Sequence, residues 1–256
     1  MLKVKEIDWQ KAYGGVWRTR GEYLKPLYQM QALPLDRLLG IERQKQQLLE
    51  NTRRFLADQP CNHALLWGSR GTGKSSLIKS LLKEYHAQGL RALEIPRESL
   101  DWLPEISDQL EELPYHFLIF CDDLSFESGD SGYKALKTLL EGSLETPPAN
   151  IRVYATSNRR HLLPESHQDN AGVQVGVGGE LHPGDAVEEK ISLADRFGLS
   201  LSFYQGDLDH YLTLVDSYFP DFQGDRDQLR ADATLFARMR ASYSGRTALQ
   251  FYNSRI

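Results

Sequence analysis

A glycine-rich segment between an apolar run and a helical pattern carries the strongest chemical signal in this sequence. The segment consists of Gly68, Ser69, Arg70, Gly71, Thr72, Gly73, Lys74, Ser75 and Ser76. Because its glycines let the backbone curl, successive N–H groups can point at phosphate oxygens, and the following helix adds its positive N-terminal end. Lys74 is expected to reach the β- and γ-phosphates of a nucleotide, and the Ser75 hydroxyl to hold Mg²⁺. The segment therefore predicts a phosphate-binding loop rather than an ordinary glycine-rich turn.

Two consecutive carboxylates give a second signal. Alone it is weak, but together with the phosphate-binding loop it indicates a nucleotide site. Asp122 and Asp123 follow the apolar run 117–121, whose apolar residues on both faces indicate a central strand. A carboxylate at the tip of such a strand, beside a phosphate loop, can hold the water shell of Mg²⁺, and this role is predicted for Asp122. Asp123 would polarise the attacking water as a general base. The alternative is a pair of solvent-facing charges at a strand end.

Composition narrows the class of protein. The chain has 256 residues and a formal net charge of −5, which argues against a generic basic nucleic-acid binder. Its two cysteines, Cys61 and Cys121, adjoin apolar strand-like segments, and no disulfide framework is expected. No apolar run is long enough to span a bilayer, and the first residues lack the apolar stretch of a signal peptide. We therefore expect a soluble cytoplasmic protein without a membrane partner.

Alternating strand-like and helical patterns predict the fold class. They indicate an α/β fold, a three-layer P-loop NTPase core with a central parallel sheet, followed by a small C-terminal helical lid. The carboxyl ends of the strands, where the phosphate loop falls, are where such sheets bind ligands. The predicted elements are helix 40–58, strand 62–67, helix 73–87, strand 90–95, helix 98–112, strand 115–121, helix 131–143, strand 151–156 and strand 199–203.

Three segments outside this alternation set the predicted domain organisation. Residues 1–39 have aromatic and basic residues without a sustained period and are predicted to form an N-terminal arm. Residues 40–205 form the nucleotide-binding domain, within which the glycine-rich, acidic stretch 165–190 is expected to be a flexible loop. Residues 206–256 form the helical lid. In the lid, one helix is expected to be capped by Asp207, and another to be capped by Asp225 and ended by Gly245.

The order of these pieces resembles the AAA+ ATPase superfamily. The segment Thr156–Ser157–Asn158 resembles sensor 1, in which Asn158 would position the lytic water. Arg196 lies in a segment similar to the box that carries the arginine finger, which implies a reach to the γ-phosphate of a neighbouring subunit. Arg246 resembles the sensor 2 arginine of the lid, and Gly40–Ile41 resemble the segment that packs against adenine. A surface salt bridge at a helix end is the alternative for Arg196.

A closer resemblance covers roughly residues 30–256. The blocks Phe120–Leu124, Thr156–Leu162 and Asp195–Leu199 are similar to those of a bacterial family of uncharacterised AAA+ ATP-binding proteins, near the initiator and helicase-loader type. The resemblance implies ATP and Mg²⁺ as cofactors. It also implies a homo-oligomer in which Arg196 completes a neighbour's site.

These observations lead to three functional hypotheses. The first is a Mg²⁺-dependent ATPase that remodels an unknown protein or nucleic-acid client; its turnover is expected to be slow, because Asp123 is one methylene shorter than the glutamate of many relatives. The second is a nucleotide-gated assembly module with negligible hydrolysis. The third is a single-stranded nucleic-acid remodeller that uses the basic and aromatic residues of segment 1–25. For that segment, packing of the aromatic side chains on the sheet or on a neighbouring subunit is the favoured alternative.

Overall fold

The computed structural model describes residues 4–126, 132–142, 144, 146–159, 162, 174–175, 181–182 and 193–255. The strands are β1 Gly14–Arg18, β2 Tyr23–Leu27, β3 Ala64–Gly68, β4 Leu90–Glu94, β5 His116–Cys121, β6 Ile151–Ser157, β7 Gln174–Val175, β8 Leu181–His182 and β9 Leu199–Phe203. The α-helices are α1 Glu42–Leu56, α2 Lys74–Tyr85, α3 Leu103–Glu111, α4 Gly132–Glu141, α5 Leu208–Tyr218, α6 Arg226–Met239 and α7 Gly245–Asn253. Single 3-10 turns cover Val4–Glu6, Thr19–Gly21, Leu35–Arg37, His86–Gln88 and Arg97–Trp102.

A seven-stranded sheet in the order β2-β1-β4-β5-β6-β3-β9 forms the centre of the core. Every neighbouring pair is parallel except β1 and β2, which pair antiparallel at one edge. β7 and β8 pair separately as a two-stranded antiparallel ribbon. The predicted α/β fold with a mainly parallel sheet is confirmed.

The central strand β5 shows why the core has three layers. Its successive side chains alternate between two apolar clusters, with Phe117 and Ile119 in one and Leu118 and Phe120 in the other. The period of two in a strand sends neighbouring side chains to opposite faces of the sheet. Buried residues of α3 and α4 complete the first cluster, and those of α1 and α2 complete the second. The sheet is therefore covered on both faces, as a parallel sheet requires.

The N-terminal segment departs from the predicted arm, because two of its stretches are strands of the main sheet. β1 pairs in parallel with β4 and carries β2 on its outer side. Trp9 and Trp17 are buried; Trp9 packs edge-to-face on Phe117, with ring centroids 5.0 Å apart. The buried Arg91 guanidinium donates to the Trp9 carbonyl at 2.7 Å. Burial of these large indole rings stabilises the segment on the sheet, so the aromatic-packing alternative is confirmed.

Two predicted element boundaries are also corrected. Over the predicted helix 98–112, the chain forms a 3-10 turn to Trp102 before α3 begins at Leu103, because Pro104 has no N–H and is accommodated only in the first turn of a helix. Helix α6 ends at Met239, and Gly245 opens α7 instead of ending α6. The chain leaves α6 through Ala241, whose φ of 47° is incompatible with a continuing helix.

The C-terminal helices α5, α6 and α7 share an apolar cluster of their own. Its largest buried side chains are Tyr211 and Phe251, with Ala233 between the helices. The predicted caps are confirmed, since the Asp207 carboxylate accepts from the His210 N–H and the Asp225 carboxylate from two N–H groups of α6. The helical C-terminal region is thus confirmed.

Most of the predicted flexible loop lies outside the described residues. Of the predicted loop 165–190, only β7 and β8 are described.

The described part of the chain holds no helix that combines the length and the apolar character needed to cross a membrane. The cytoplasmic location stays a prediction.

The His63 ring is expected to make stability depend on pH. Its Nδ1 accepts the Val153 N–H at 2.9 Å, and burial, with Arg152 nearby, lowers the pKa of His63 from its ordinary 6.5 to about 4. The unfolded chain binds a proton on this ring at a higher pH than the folded chain does. The stability that the neutral ring contributes is therefore complete above pH 6.5 and declines as the pH falls toward 4. Between pH 7 and pH 5 the loss should be about 2 kcal/mol.

Urea unfolding of the wild type and of His63→Gln at both pH values measures this contribution. The glutamine amide does not titrate, so the difference in unfolding free energy between the two proteins should shift by about 2 kcal/mol across the window. A difference that is the same at both pH values would contradict the assignment.

Candidate nucleotide-binding site

The glycine-rich loop lies at the carboxyl end of β3, where the chain turns into α2. A Cβ atom on Gly68 would lie 1.9 Å from the Phe203 carbonyl oxygen, so only glycine permits this approach of β3 to β9. The Ser69 N–H donates to the same carbonyl at 3.0 Å. Gly73, the residue before α2, has a φ of 96°, a left-handed conformation that side-chain-bearing residues rarely adopt. The loop therefore curls at the helix N-terminus, as the sequence predicts.

Lys74 folds back into the curl of the loop. Its ammonium group donates to the carbonyl oxygens of Gly68, at 2.8 Å, and Ser69, at 2.7 Å, and lies 3.5 Å from the Asn158 amide oxygen. The residue is only 7% exposed. Burial lowers the pKa of Lys74, and the nearby Asp123 and Asp122 oppose this shift. A largely desolvated ammonium held by neutral carbonyls is well suited to an anionic ligand.

The Asp122 carboxylate joins three elements of the core. Its Oδ1 accepts the Ser75 hydroxyl from α2 and the Thr156 hydroxyl from β6, each at 2.6 Å. Two hard oxygen donors, those of Ser75 and Asp122, are thus adjacent at the mouth of the loop. Mg²⁺ prefers such oxygen ligands with one or two carboxylates, so the residues present fit the ion.

Asp123 has a backbone conformation that separates its side chain from that of Asp122. Its φ is 53°, and its N–H donates to the Thr156 hydroxyl oxygen at 2.9 Å. The Asn158 amide nitrogen donates to one carboxylate oxygen, and the Arg70 guanidinium lies 4.0 Å from the other. Both members of the Arg70 pair are well exposed, so their attraction is small. Asp123 is therefore available at the surface of the cavity with its orientation restrained.

A cavity of about 560 Å³ contains most of the predicted site residues. The predicted residues that line it are Gly40, Ile41, Arg70, Gly71, Thr72, Gly73, Lys74, Ser75, Ser76, Asp122, Asp123, Asn158 and Arg246. Gly68 and Ser69, at the start of the loop, do not line the cavity, but their carbonyl oxygens accept from the Lys74 ammonium. One wall, formed in part by Leu38, Leu214 and Leu249, is apolar. The cavity thus has a charged end at the loop and an apolar end between core and lid, as a nucleotide requires.

The lid reaches the phosphate loop directly. The Gly245 N–H at the start of α7 donates to the Gly71 carbonyl oxygen at 3.1 Å. A Cβ atom on Gly71 would lie 2.8 Å from the Ser244 hydroxyl, which caps the same helix. This close contact brings Arg246, in the first turn of α7, into the cavity.

Arg196 is not among the residues that line this cavity. Its guanidinium pairs with the Glu141 carboxylate at the end of α4, and its side chain is only 15% exposed. Within one chain, therefore, the structure does not bring Arg196 to the other predicted site residues. Its assignment as a finger that acts on a neighbour stays a prediction.

Thr156 and His210 are among the cavity residues that were not assigned a role from sequence. The Thr156 hydroxyl forms hydrogen bonds with both aspartates. The only sequence signal for this residue was its position near Asn158 at the end of the same strand. His210 lies in the lid, and its ring packs so closely on Gly40 that a Cβ atom there would lie 2.1 Å from its Cε1. No spacing in the sequence relates residues 40 and 210, because the two segments meet only in the folded chain.

Comparisons with known proteins agree with this arrangement. The family model described as "Protein of unknown function (DUF815)" matches residues 10–256. Replication factor C subunit 5 of Oryza sativa subsp. japonica is 25% identical over 88 residues, which cover 34% of this chain. The match spans 24% of the length of that relative.

Solved structures show the same fold at low sequence identity. A RuvB variant of Thermotoga maritima superposes with a TM-score of 0.51 and 14% identity, over 86% of this chain and 71% of that one. The ORC1 protein of Aeropyrum pernix in complex with DNA gives a TM-score of 0.55 and 15% identity, over 87% of this chain and 59% of that one. The chain therefore belongs to the DUF815 family, and its fold is that of the AAA+ ATPase superfamily.

Proposed function

We propose that this protein binds ATP with Mg²⁺ and hydrolyses it slowly to remodel a macromolecular client. The observation that carries the proposal is that the phosphate loop, the acid pair, Asn158 and the lid residue Arg246 line one cavity. A generic phosphate site would need the loop alone. The additional polar groups are the kind that hydrolysis requires, a carboxylate near an amide and a cation that comes from the C-terminal helices.

Each residue has a separable role in this proposal. The Lys74 ammonium neutralises charge on the β- and γ-phosphates. Ser75, and Asp122 through water, would hold Mg²⁺, and the bound ion would supply charge neutralisation. Asp123 accepts a proton from the attacking water, and the Asn158 amide orients that water. Arg246 stabilises the transferred phosphate from the lid, while Gly40 and Ile41 contact the base.

Slow turnover follows from the way in which Asp123 is held. Its short side chain already accepts a hydrogen bond from Asn158 and faces the Arg70 guanidinium. The carboxylate oxygen that accepts from Asn158 has fewer lone pairs available for the attacking water. The same observation favours a second candidate function, a nucleotide-gated assembly module with negligible hydrolysis. Phosphate release in the steady state separates the two, since more than one turnover per site over hours excludes the pure switch.

The nature of the client is inferred from the fold relatives. ORC1 is described in complex with DNA, and the curated relative is a replication factor subunit. We propose a loader- or initiator-type role on a nucleic-acid or protein client, with the protein assembling as a homo-oligomer. The hydrogen bond from Gly245 to Gly71 supports a coupling of nucleotide state to lid position, because a ligand that shifts the loop would also shift the start of α7.

Lys74→Ala and Asp123→Asn should separate binding from hydrolysis. Lys74→Ala should weaken binding of fluorescent ATP by at least about tenfold, because it removes the charge inside the loop, whereas Asp123→Asn should bind normally and lose about 10²-fold in phosphate release. Lys79→Ala on the exposed face of α2 is the control and should match the wild type in both assays. Unchanged hydrolysis in Asp123→Asn would remove Asp123 as the base.

The Thr156 hydroxyl should be required for the position of both aspartates. Thr156→Val keeps the shape of the buried side chain but removes the bonds to Asp122 and Asp123, so the Mg²⁺ concentration for half-maximal hydrolysis should rise. Thr156→Ser retains the hydroxyl and should restore most of the wild-type Mg²⁺ dependence. If valine changes thermal stability but leaves the Mg²⁺ titration unaltered, Thr156 is only a structural residue.

The proposed action of Arg196 on a neighbouring subunit can be tested by mixing two inactive variants. Lys74→Ala subunits keep Arg196 but bind ATP weakly, and Arg196→Ala subunits bind ATP but lack the finger. If Arg196 acts in trans, the mixture should recover part of the hydrolysis that each variant has lost. Glu141→Gln breaks the same ion pair without removing Arg196 and controls for local damage. A mixture no more active than its components would contradict the trans assignment.

A further inference from the structure

A second cleft lies between α3 and α4, on the face of the sheet that these two helices cover. It has a volume of about 280 Å³ and shares no lining residue with the nucleotide cavity. Its walls are one face of α3, one face of α4 and the segment that precedes β6. The lining residues are Leu103, Pro104, Ser107, Asp108, Glu111, Ala135, Thr138, Leu139, Thr146, Pro147 and Pro148.

The wall formed by α3 is anchored before any ligand arrives. The Asn150 side-chain amide donates to the carbonyl oxygens of Leu110, Leu113 and Tyr115, at 3.0, 3.3 and 3.1 Å. These bonds tie the C-terminal end of α3 to the segment that enters β6. Rigid walls reduce the entropy lost on binding, so the cleft is suited to hold a ligand rather than to close on itself.

A polar group inside the cleft lacks a partner. Ser107 is 5% exposed and lines the cleft, and its hydroxyl makes no hydrogen bond within the part of the chain that the structure describes. A buried hydroxyl without a partner is unfavourable, and such groups are rare in folded proteins. Because Ser107 lines the cleft, a guest that binds there can supply the missing partner.

The mouth of the cleft is acidic. Asp108 and Glu111 are exposed, line the cleft from the same face of α3, and form no ion pair with any residue in the described ranges. Two carboxylates beside an apolar floor repel phosphate groups and attract a cation. The lining thus favours a guest that has an apolar body and a positive charge next to it.

We propose that this cleft binds a segment of a partner polypeptide, which inserts one large apolar side chain beside Leu103 and Leu139 and places an arginine or lysine against Asp108 and Glu111. The Ser107 hydroxyl bonds a main-chain group of that segment. The volume suits a side chain and a stretch of backbone, and the charge excludes a nucleic-acid strand. This inference names a recognition site for a protein partner and does not depend on ATP hydrolysis.

A selection from random twelve-residue peptides displayed on phage, against the immobilised full-length chain, tests the chemistry. Thr138→Trp on the exposed face of α4 places an indole over the cleft and provides the protein for counter-selection. The expected consensus has an aromatic or large aliphatic residue next to arginine or lysine. An acidic consensus, an uncharged one, or no enrichment over the Thr138→Trp protein would overturn the proposal.

The consensus peptide, labelled with a fluorophore, then maps the site by anisotropy. The double variant Asp108→Lys, Glu111→Lys should weaken binding by about tenfold or more, because two attractions become repulsions. Glu105→Lys, an exposed charge reversal on the same helix outside the cleft, is the matched control and should bind as the wild type does. Equal affinity for both proteins would overturn the assignment of the two carboxylates.

Ser107→Ala separates a ligand contact from a structural role. Because the hydroxyl has no partner in the described part of the chain, its removal should leave the melting temperature unchanged or slightly raised. It should weaken peptide binding by roughly threefold to tenfold, the value of one hydrogen bond. A loss of stability with unchanged peptide affinity would overturn the role given to Ser107.

Discussion

The arrangement of the site depends on one carboxylate oxygen. Oδ1 of Asp122 accepts hydroxyl groups from Ser75 and Thr156, and so joins α2, the end of β5 and the end of β6 at a single point. β5, β6 and β3 are parallel neighbours, and α2 begins after β3. The carboxyl ends of these strands and the start of α2 therefore meet at one edge of the sheet. The hydroxyl of Thr156 extends the network by fixing the N–H of Asp123. Loss of this centre would loosen the proposed metal ligands and the proposed base together.

The second constraint is the contact between loop and lid. Gly71 has no side chain, and the first turn of α7 occupies the space where one would lie. If nucleotide state is coupled to lid position, as proposed, this contact carries the coupling, and the effect is reciprocal. The cleft between α3 and α4 lies apart from this contact. The two proposed roles, a response to nucleotide and recognition of a partner, therefore belong to separate sites.

Much of the fold followed from local patterns. The apolar run of β5, the glycine spacing of the loop and the caps Asp207 and Asp225 are each decided by interactions among residues close in sequence, so the sequence alone predicts them. The two strands of the N-terminal segment did not follow, since five-residue strands show too little alternation, and what stabilises them is the burial of Trp9 and Trp17 on distant strands. The role of Thr156 was missed because its partners, Asp122 and Asp123, lie on another segment of the chain, and contacts between distant segments leave no local pattern.

The sequence by itself determined the residue types that make the phosphate loop, the acid pair and the alternation of strands and helices, because these depend on backbone freedom, charge and periodicity over a few residues. Only the tertiary structure decided which groups meet across the chain. It placed His210 against Gly40, paired Arg196 with Glu141, and left the hydroxyl of Ser107 in an acidic cleft. Such contacts depend on how distant segments pack, which local patterns do not specify.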